Sequence, residues 1–305
     1  MIDKSSNTAT GAFAHLSLSR VVGQNQTFWV TGKGGVGKTT IATALAEEVA
    51  KDHAVVLIEF GDGESAGRML ESKKVIHRIV EPDDAMVRAM SALVGSTWLA
   101  KLFTNNFAVR PMLRSAPALR ELAMLEVVRQ VCDEHPQAKV FVDLPATGHA
   151  IAWLKLPRQL KALFQSGALH DLADRVLKRV LDPTKTSVLV VSTAEPFVIT
   201  ETLDLARALG REVGLVPSGI IVNRFPDALP GHRQGGASSS GWSELDPGHL
   251  VSLVAALSFR DEVRSSALEK LGTASLPALL IPAWPTEHLK RDLHQYLAEA
   301  LKDKT

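Results

Sequence analysis

Val30-Thr31-Gly32-Lys33-Gly34-Gly35-Val36-Gly37-Lys38-Thr39-Thr40 is the stretch that decides the fold. A short apolar run, Phe28, Trp29 and Val30, leads into it, and a helical pattern, Ile41, Ala42, Leu45 and Val49, leads out. Strand, glycine loop and helix in that order form the setting of a phosphate-binding loop, and Gly32 to Thr39 match G-x-x-x-x-G-K-[ST] at every required position. Each residue type has a physical task there. Gly32, Gly34, Gly35 and Gly37, with Val36 between them, let the backbone turn tightly and aim its N–H groups at a phosphate. The new helix adds its positive end. Lys38 is placed to neutralise β/γ-phosphate charge and Thr39 to hold Mg²⁺, and Thr40 is counted with them among the nucleotide-binding residues. ATP and Mg²⁺ are the expected cofactors.

Lys33 adds more than the generic motif, because it follows the first glycine at a position the ordinary loop leaves free. The run from Lys33 to Thr39 resembles the deviant phosphate loop of the ArsA, Min, Par and nitrogenase-iron-protein class. That resemblance implies that Lys33 crosses a two-fold interface to reach phosphates bound by a partner subunit. A second cation there stabilises transition-state charge much as an arginine finger does.

The second informative stretch is Val140-Phe141-Val142-Asp143-Leu144-Pro145-Ala146-Thr147-Gly148-His149. An apolar strand ending in Asp143 puts a carboxylate beside the phosphate loop, where it can accept from a water on Mg²⁺. Here the resemblance sharpens to the ArsA family of arsenite-pump and tail-anchored-protein-targeting ATPases. Their second switch reads D-T-A-P-T-G-H before a leucine-rich helix ending in L-P. Asp143, Thr147, Gly148 and His149 are in register with it, then Leu154, Leu156 and Pro157, while the proline of the switch is shifted to Pro145. Further similarity runs from about 26 to 301. It includes Leu119-Arg120-Glu121-Leu122, Glu201-Thr202-Leu203, the strand-end Asn223 and the loop Pro282-Ala283-Trp284-Pro285. In the family that asparagine and that proline loop recognise adenine; by itself Asn223 reads equally well as a turn residue.

The sequence departs from the family in two places. The first switch usually carries an Asp that orients the attacking water; here the equivalent stretch is Leu57-Ile58-Glu59-Phe60-Gly61-Asp62-Gly63-Glu64. Asp62 is one residue out of register, so either Asp62 or Gly61 stands at the catalytic position, with slow turnover or a partner-supplied residue as the consequence. The catalytic set is therefore Lys33, Lys38, Asp62 and Asp143. The second departure is cysteine usage. Cys132 is the single cysteine of 305 residues, which removes an intrachain disulfide, a C-x-x-C zinc clamp and a shared iron–sulfur cluster, and fits a cytoplasmic setting. Its helical neighbours Leu125, Val128 and Val131 mark it as a small buried apolar residue.

Short β-branched runs at 28–30, 54–60, 139–142, 187–192, 218–222 and 278–281 alternate with helical patterns at 41–51, 118–132, 160–180, 200–209 and 287–301. That alternation predicts an α/β fold, a mostly parallel sheet with helices on both faces in three layers. Residues 1–20 read as a tail, and 21–305 as a single P-loop ATPase domain. A helical subdomain is expected at about 68–137, and a Gly/Ser-rich surface loop at about 226–248. Five of the six methionines fall in the helical interval, with Trp98, Leu99, Leu102, Phe103 and Phe107. Either ordinary core or an adaptable apolar client surface accounts for them. Hydrophobic residues make up 46% and the net charge is +1 without a like-charge block, so nucleic-acid binding and a stable membrane anchor are not expected. The C-terminal leucines at 289, 293, 297 and 301 alternate with both charge signs and read as a sheet-packing helix. The expected activity is that of an ATP-driven switch acting as a homodimer or as a heterodimer with a homologue, coupled to a protein client. A Min/Par-like positioning ATPase and a weakly hydrolysing heterodimer subunit are the alternatives.

Overall fold

In the computed structural model, residues 13–61, 64–94, 117–145, 147–227, 247–285 and 287–303 are described. Their elements run α1 (Leu18–Gln24), β1 (Thr27–Gly32), α2 (Lys38–Val49), β2 (Val55–Phe60), α3 (Glu64–Met69), β3 (Val75–Val80), α4 (Pro82–Val94), α5 (Pro117–Glu134) and β4 (Lys139–Asp143). The second half runs α6 (Thr147–Leu163), α7 (Ala168–Val180), β5 (Thr186–Thr193), α8 (Pro196–Ala208), a π-helical turn (Leu209–Val213), β6 (Gly219–Phe225), α9 (Pro247–Thr273), β7 (Ala278–Pro282) and α10 (Leu289–Lys302).

The seven strands form one parallel sheet in the order β3-β2-β4-β1-β5-β6-β7. Parallel neighbours need crossover connections, and helices supply them on both faces. The central strands are therefore apolar on both sides, and β1 is buried along its whole length. Strand alternation divides the core. Trp29, Val56, Ile58, Val140 and Val142 face α4, α5, α6 and α7, while Phe28, Val30, Leu57 and Phe141 face α1, α2 and α10. Phe28 and Phe141 stack with centroids 4.7 Å apart, and the Trp29 indole N–H donates to Val180 O at 2.9 Å. Cys132 is buried in the first of these layers.

The helix after β1 and the helix after β4 lie on opposite faces although the two strands are neighbours. In open α/β sheets such a switch point makes a crevice outside the carboxyl ends of the two strands, and ligands bind there.

Several expectations are corrected. The interval 68–137 is not wholly helical, because β3 lies inside it as an edge strand paired with β2. Its run Val75-Ile76-His77-Arg78-Ile79-Val80 is buried only at its two ends, so the apolar signal is broken. Residues 13–20 are not a tail. Leu16 N–H donates to Ala278 O at 3.0 Å, Ala278 N–H donates to Ala14 O at 2.8 Å, and Leu16 and Leu18 are buried. The helical pattern at 160–180 is two helices, separated at Gly167, which has φ 93°. At the far end of the Gly/Ser stretch, residues 247 and 248 already belong to α9; 228–246 lie outside the described residues. Met86 and Met124 sit in the core and Met69 is exposed; Met112 and the aromatic cluster at 98–107 lie outside the described residues. Leu293 and Leu297 of α10 pack into the sheet layer, as the mixed charge of that helix implies.

Candidate functional site

The loop between β1 and α2 is shaped by contacts that only glycine permits at two positions. Gly32 has φ 151°, and a Cβ there would lie 2.1 Å from Val191 O on the neighbouring strand. Gly37, the N-cap of α2, has φ 93°, and a Cβ would lie 2.5 Å from Asn223 Nδ2. The loop thus presses against β5 and the end of β6.

Within it, Lys38 Nζ donates to Lys33 O at 3.2 Å, folding the lysine back over the loop as a bound phosphate would require. Burial lowers the Lys38 pKa, partly offset by the Asp143 charge. Thr39 Oγ1 donates to Asp143 Oδ2 at 2.6 Å, joining the phosphate loop to the end of β4 across 104 residues. Asp143 is buried, and its Oδ1 has no partner. Burial pushes its carboxyl up to about 6 despite the Thr39 hydrogen bond and the Lys38 charge, with Glu59 adding like-charge repulsion. A buried carboxylate oxygen without a partner, next to a threonine hydroxyl, fits a hard cation such as Mg²⁺.

The remaining expected residues divide. Lys33 lies against α8: its Nζ is 2.5 Å from Glu201 Oε2 and 4.4 Å above the ring of Phe197. Thr40 turns outward and donates to Met69 Sδ at 3.8 Å. Asn223 is at the same end of the sheet as the loop, but its amide is engaged, donating to Val36 O at 2.9 Å and accepting from Arg224 N–H at 3.0 Å. Pro282 ends β7 opposite Phe225 and is half-buried, beside the Trp284–Tyr296 edge contact. Asp62 lies outside the described residues, as does Gly63. Gly61 has φ 107°, and its N–H donates to Val80 O at 3.3 Å, so it joins β2 to β3.

Sequence reasoning missed three features of the site. Arg224 donates to Gly35 O at 2.8 Å. Glu201 and Phe197, on α8, hold Lys33. Glu59 is buried at the end of β2, opposite Asp143; both carboxylate oxygens lie 3.1 Å from the Ala66 N–H donor, and Oε2 lies 3.1 Å from His77 Nε2. The only signal for Glu59 was a carboxylate inside an otherwise apolar strand. Among the described residues no three or more His, Cys, Asp or Glu side chains gather as a metal site would need, and no helix is long and apolar enough to cross a membrane.

Comparison with known proteins agrees with this geometry. The family model for the CobQ/CobB/MinD/ParA nucleotide binding domain matches residues 28–238. The chain is 26% identical over 226 residues to ATPase BagA of Mycobacterium tuberculosis, covering 67% of this chain and 65% of that protein. It is also 26% identical over 229 residues to an arsenical pump-driving ATPase of Acidiphilium multivorum, with 68% and 37% covered. Against ATPase GET3 of Podospora anserina the identity is 26% over 182 residues, with 54% and 53% covered. The match therefore spans between 37% and 65% of the length of these relatives. A phosphate loop joined to a strand-end aspartate at the carboxyl end of a parallel sheet, in a chain that the family model matches over more than half its length, makes this chain a member of the CobQ/CobB/MinD/ParA nucleotide-binding family.

Proposed function

We propose that the protein is an ATP-binding and ATP-hydrolysing molecular switch that works as a dimer. The observation that supports this most is the Thr39–Asp143 hydrogen bond, which joins the loop after β1 to the end of β4. Lys38 and the loop N–H groups bind the phosphates, and Gly32, Gly34, Gly35 and Gly37 let the backbone approach them. Thr39 and Asp143 hold Mg²⁺, which when bound neutralises phosphate charge. Lys33 serves the site of a second subunit, identical or homologous, and the nucleotide state is coupled through closure to a protein client in the cytoplasm. The ArsA-type relatives favour this over a Min/Par-like positioning role. The displaced Asp62 supports a weakly hydrolysing partner in a heterodimer as the second reading.

Lys38→Ala tests the foundation. Loss of a charge-assisted phosphate contact should weaken ATP binding by at least about tenfold in equilibrium titration. Asp143→Ala should keep nucleotide bound yet impair Mg²⁺-dependent turnover. Unchanged ATP affinity in the Lys38 variant would count against nucleotide binding at this loop.

A further inference from the structure

β6 ends in a conformation that its sequence does not favour. Arg224 has φ 52°, the one non-glycine residue with positive φ among those described, and the pairing of β6 with β7 shifts register between Val222 and Phe225. A left-handed side-chain-bearing residue persists only where its surroundings over-determine it. Here two side-chain contacts lead to the phosphate loop. The Arg224 N–H is held by Asn223 Oδ1, the Arg224 guanidinium reaches Gly35 O, and Asn223 Nδ2 reaches Val36 O. Gly37 leaves the room for that approach.

We infer that Arg224 and Asn223 are positioning residues of the nucleotide site, acting through two peptide groups of the loop; this rests on the nucleotide-binding function proposed above. In a planar trans peptide, the C=O of one residue and the N–H of the next point in opposite directions. With Gly35 O and Val36 O both held from the β6 side, the N–H groups of Val36 and Gly37 are turned the other way, as an anion cradle requires. The loop reaches the ligand with its donors already oriented, so less ordering is left to binding. The Arg224 guanidinium does not have to touch the nucleotide to act in this way. Arg224 is exposed, so the guanidinium is not retained for core packing.

Arg224→Gly separates positioning from folding, because glycine relaxes the positive φ while deleting the guanidinium. Arg224→Lys keeps a cation that can donate to one carbonyl, and Asn223→Ala removes the second tether. Three readouts are taken: thermal midpoint of the nucleotide-free protein, amide hydrogen exchange across 32–40, and calorimetric affinity for ADP and for adenosine. Arg224→Gly should keep or raise the midpoint, speed exchange at 35–37, and weaken ADP by about tenfold without changing adenosine binding. Arg224→Lys should recover part of the ADP affinity, and Asn223→Ala should resemble Arg224→Gly in exchange. Wild-type ADP affinity and exchange in Arg224→Gly would overturn the inference while leaving nucleotide binding intact. A fall in ADP affinity that merely follows a fall in midpoint would overturn it too. If wild-type protein bound no ADP, the nucleotide function itself would fail, and with it the positioning role; the exchange data would still report whether β6 holds the loop.

Discussion

Asp143 is placed where an unbound carboxylate is costly. One oxygen accepts from Thr39, the other has no partner, and burial raises its pKa to about 6. An acid whose folded pKa exceeds its unfolded value binds more protons in the folded state between the two, so stability falls as pH rises through that interval. The window runs from about 4 to about 6, and above it the ionised carboxylate costs on the order of 3 kcal/mol in metal-free protein. Asp143→Asn keeps an acceptor for Thr39 and removes that charge. The prediction is that the metal-free variant unfolds at higher urea than wild type at pH 8, and that the gap closes toward pH 4. A difference that stays flat across that range would remove burial of this charge as its cause. ATP with Mg²⁺ should narrow the gap at pH 8, because a cation stabilises the ionised form that asparagine cannot supply.

At the level of elements, Glu59 ties β2 to the start of α3 through Ala66 N–H and to β3 through His77. It thereby fixes the start of α3 against the ends of β2 and β3. Glu59→Ala leaves the buried Ala66 N–H without its acceptor and should lower stability by about 2 kcal/mol in urea unfolding, with Glu59→Gln recovering part. An alanine variant as stable as wild type would show that water replaces the carboxylate and that the three elements hold without it. This tie was not legible in the sequence, and neither was β3. Six strands could be read because burial on both faces demands unbroken apolar, β-branched runs, as in Val188, Val190 and Val191. β3, at one edge of the sheet, carries no such run: Ile76 and Ile79 are exposed, and His77 and Arg78 interrupt them. The phosphate loop and Asp143 were legible because local backbone geometry and strand-end position write their chemistry into adjacent residues. Arg224 on Gly35 and Glu201 on Lys33 were not, since each joins residues more than 160 positions apart and appears only when the sheet brings β1, α8 and β6 together.

For the whole molecule, the cations of the crevice have different allegiances. Lys38 serves its own loop, whereas Lys33 points away from it to Glu201 and Phe197 on α8. Both members of the Lys33–Glu201 pair are more than a third exposed, so the contact contributes at most about 1 kcal/mol and releases easily. Phe197 beside it is 66% exposed, an apolar ring on the same surface as the cation. On the dimeric switch proposed here, Lys33 leaves this contact when ATP brings a second subunit against the crevice, because two γ-phosphates facing one another need an opposing cation between them. Lys33→Ala should therefore bind nucleotide through Lys38 and the loop N–H groups as before. It should keep the nucleotide-free mass of wild type but lose ATP-dependent assembly and turnover. Light scattering of both proteins, with and without ATP and Mg²⁺, alone and mixed with a homologous chain, separates the outcomes. Assembly and turnover at wild-type levels in Lys33→Ala would make the lysine a surface residue paired with Glu201 and remove its action in trans. A wild-type protein that stays monomeric by itself in every nucleotide state, yet assembles with the homologue, would establish a heterodimer. It would also account for the displaced Asp62, since the partner could then carry the residue that orients water.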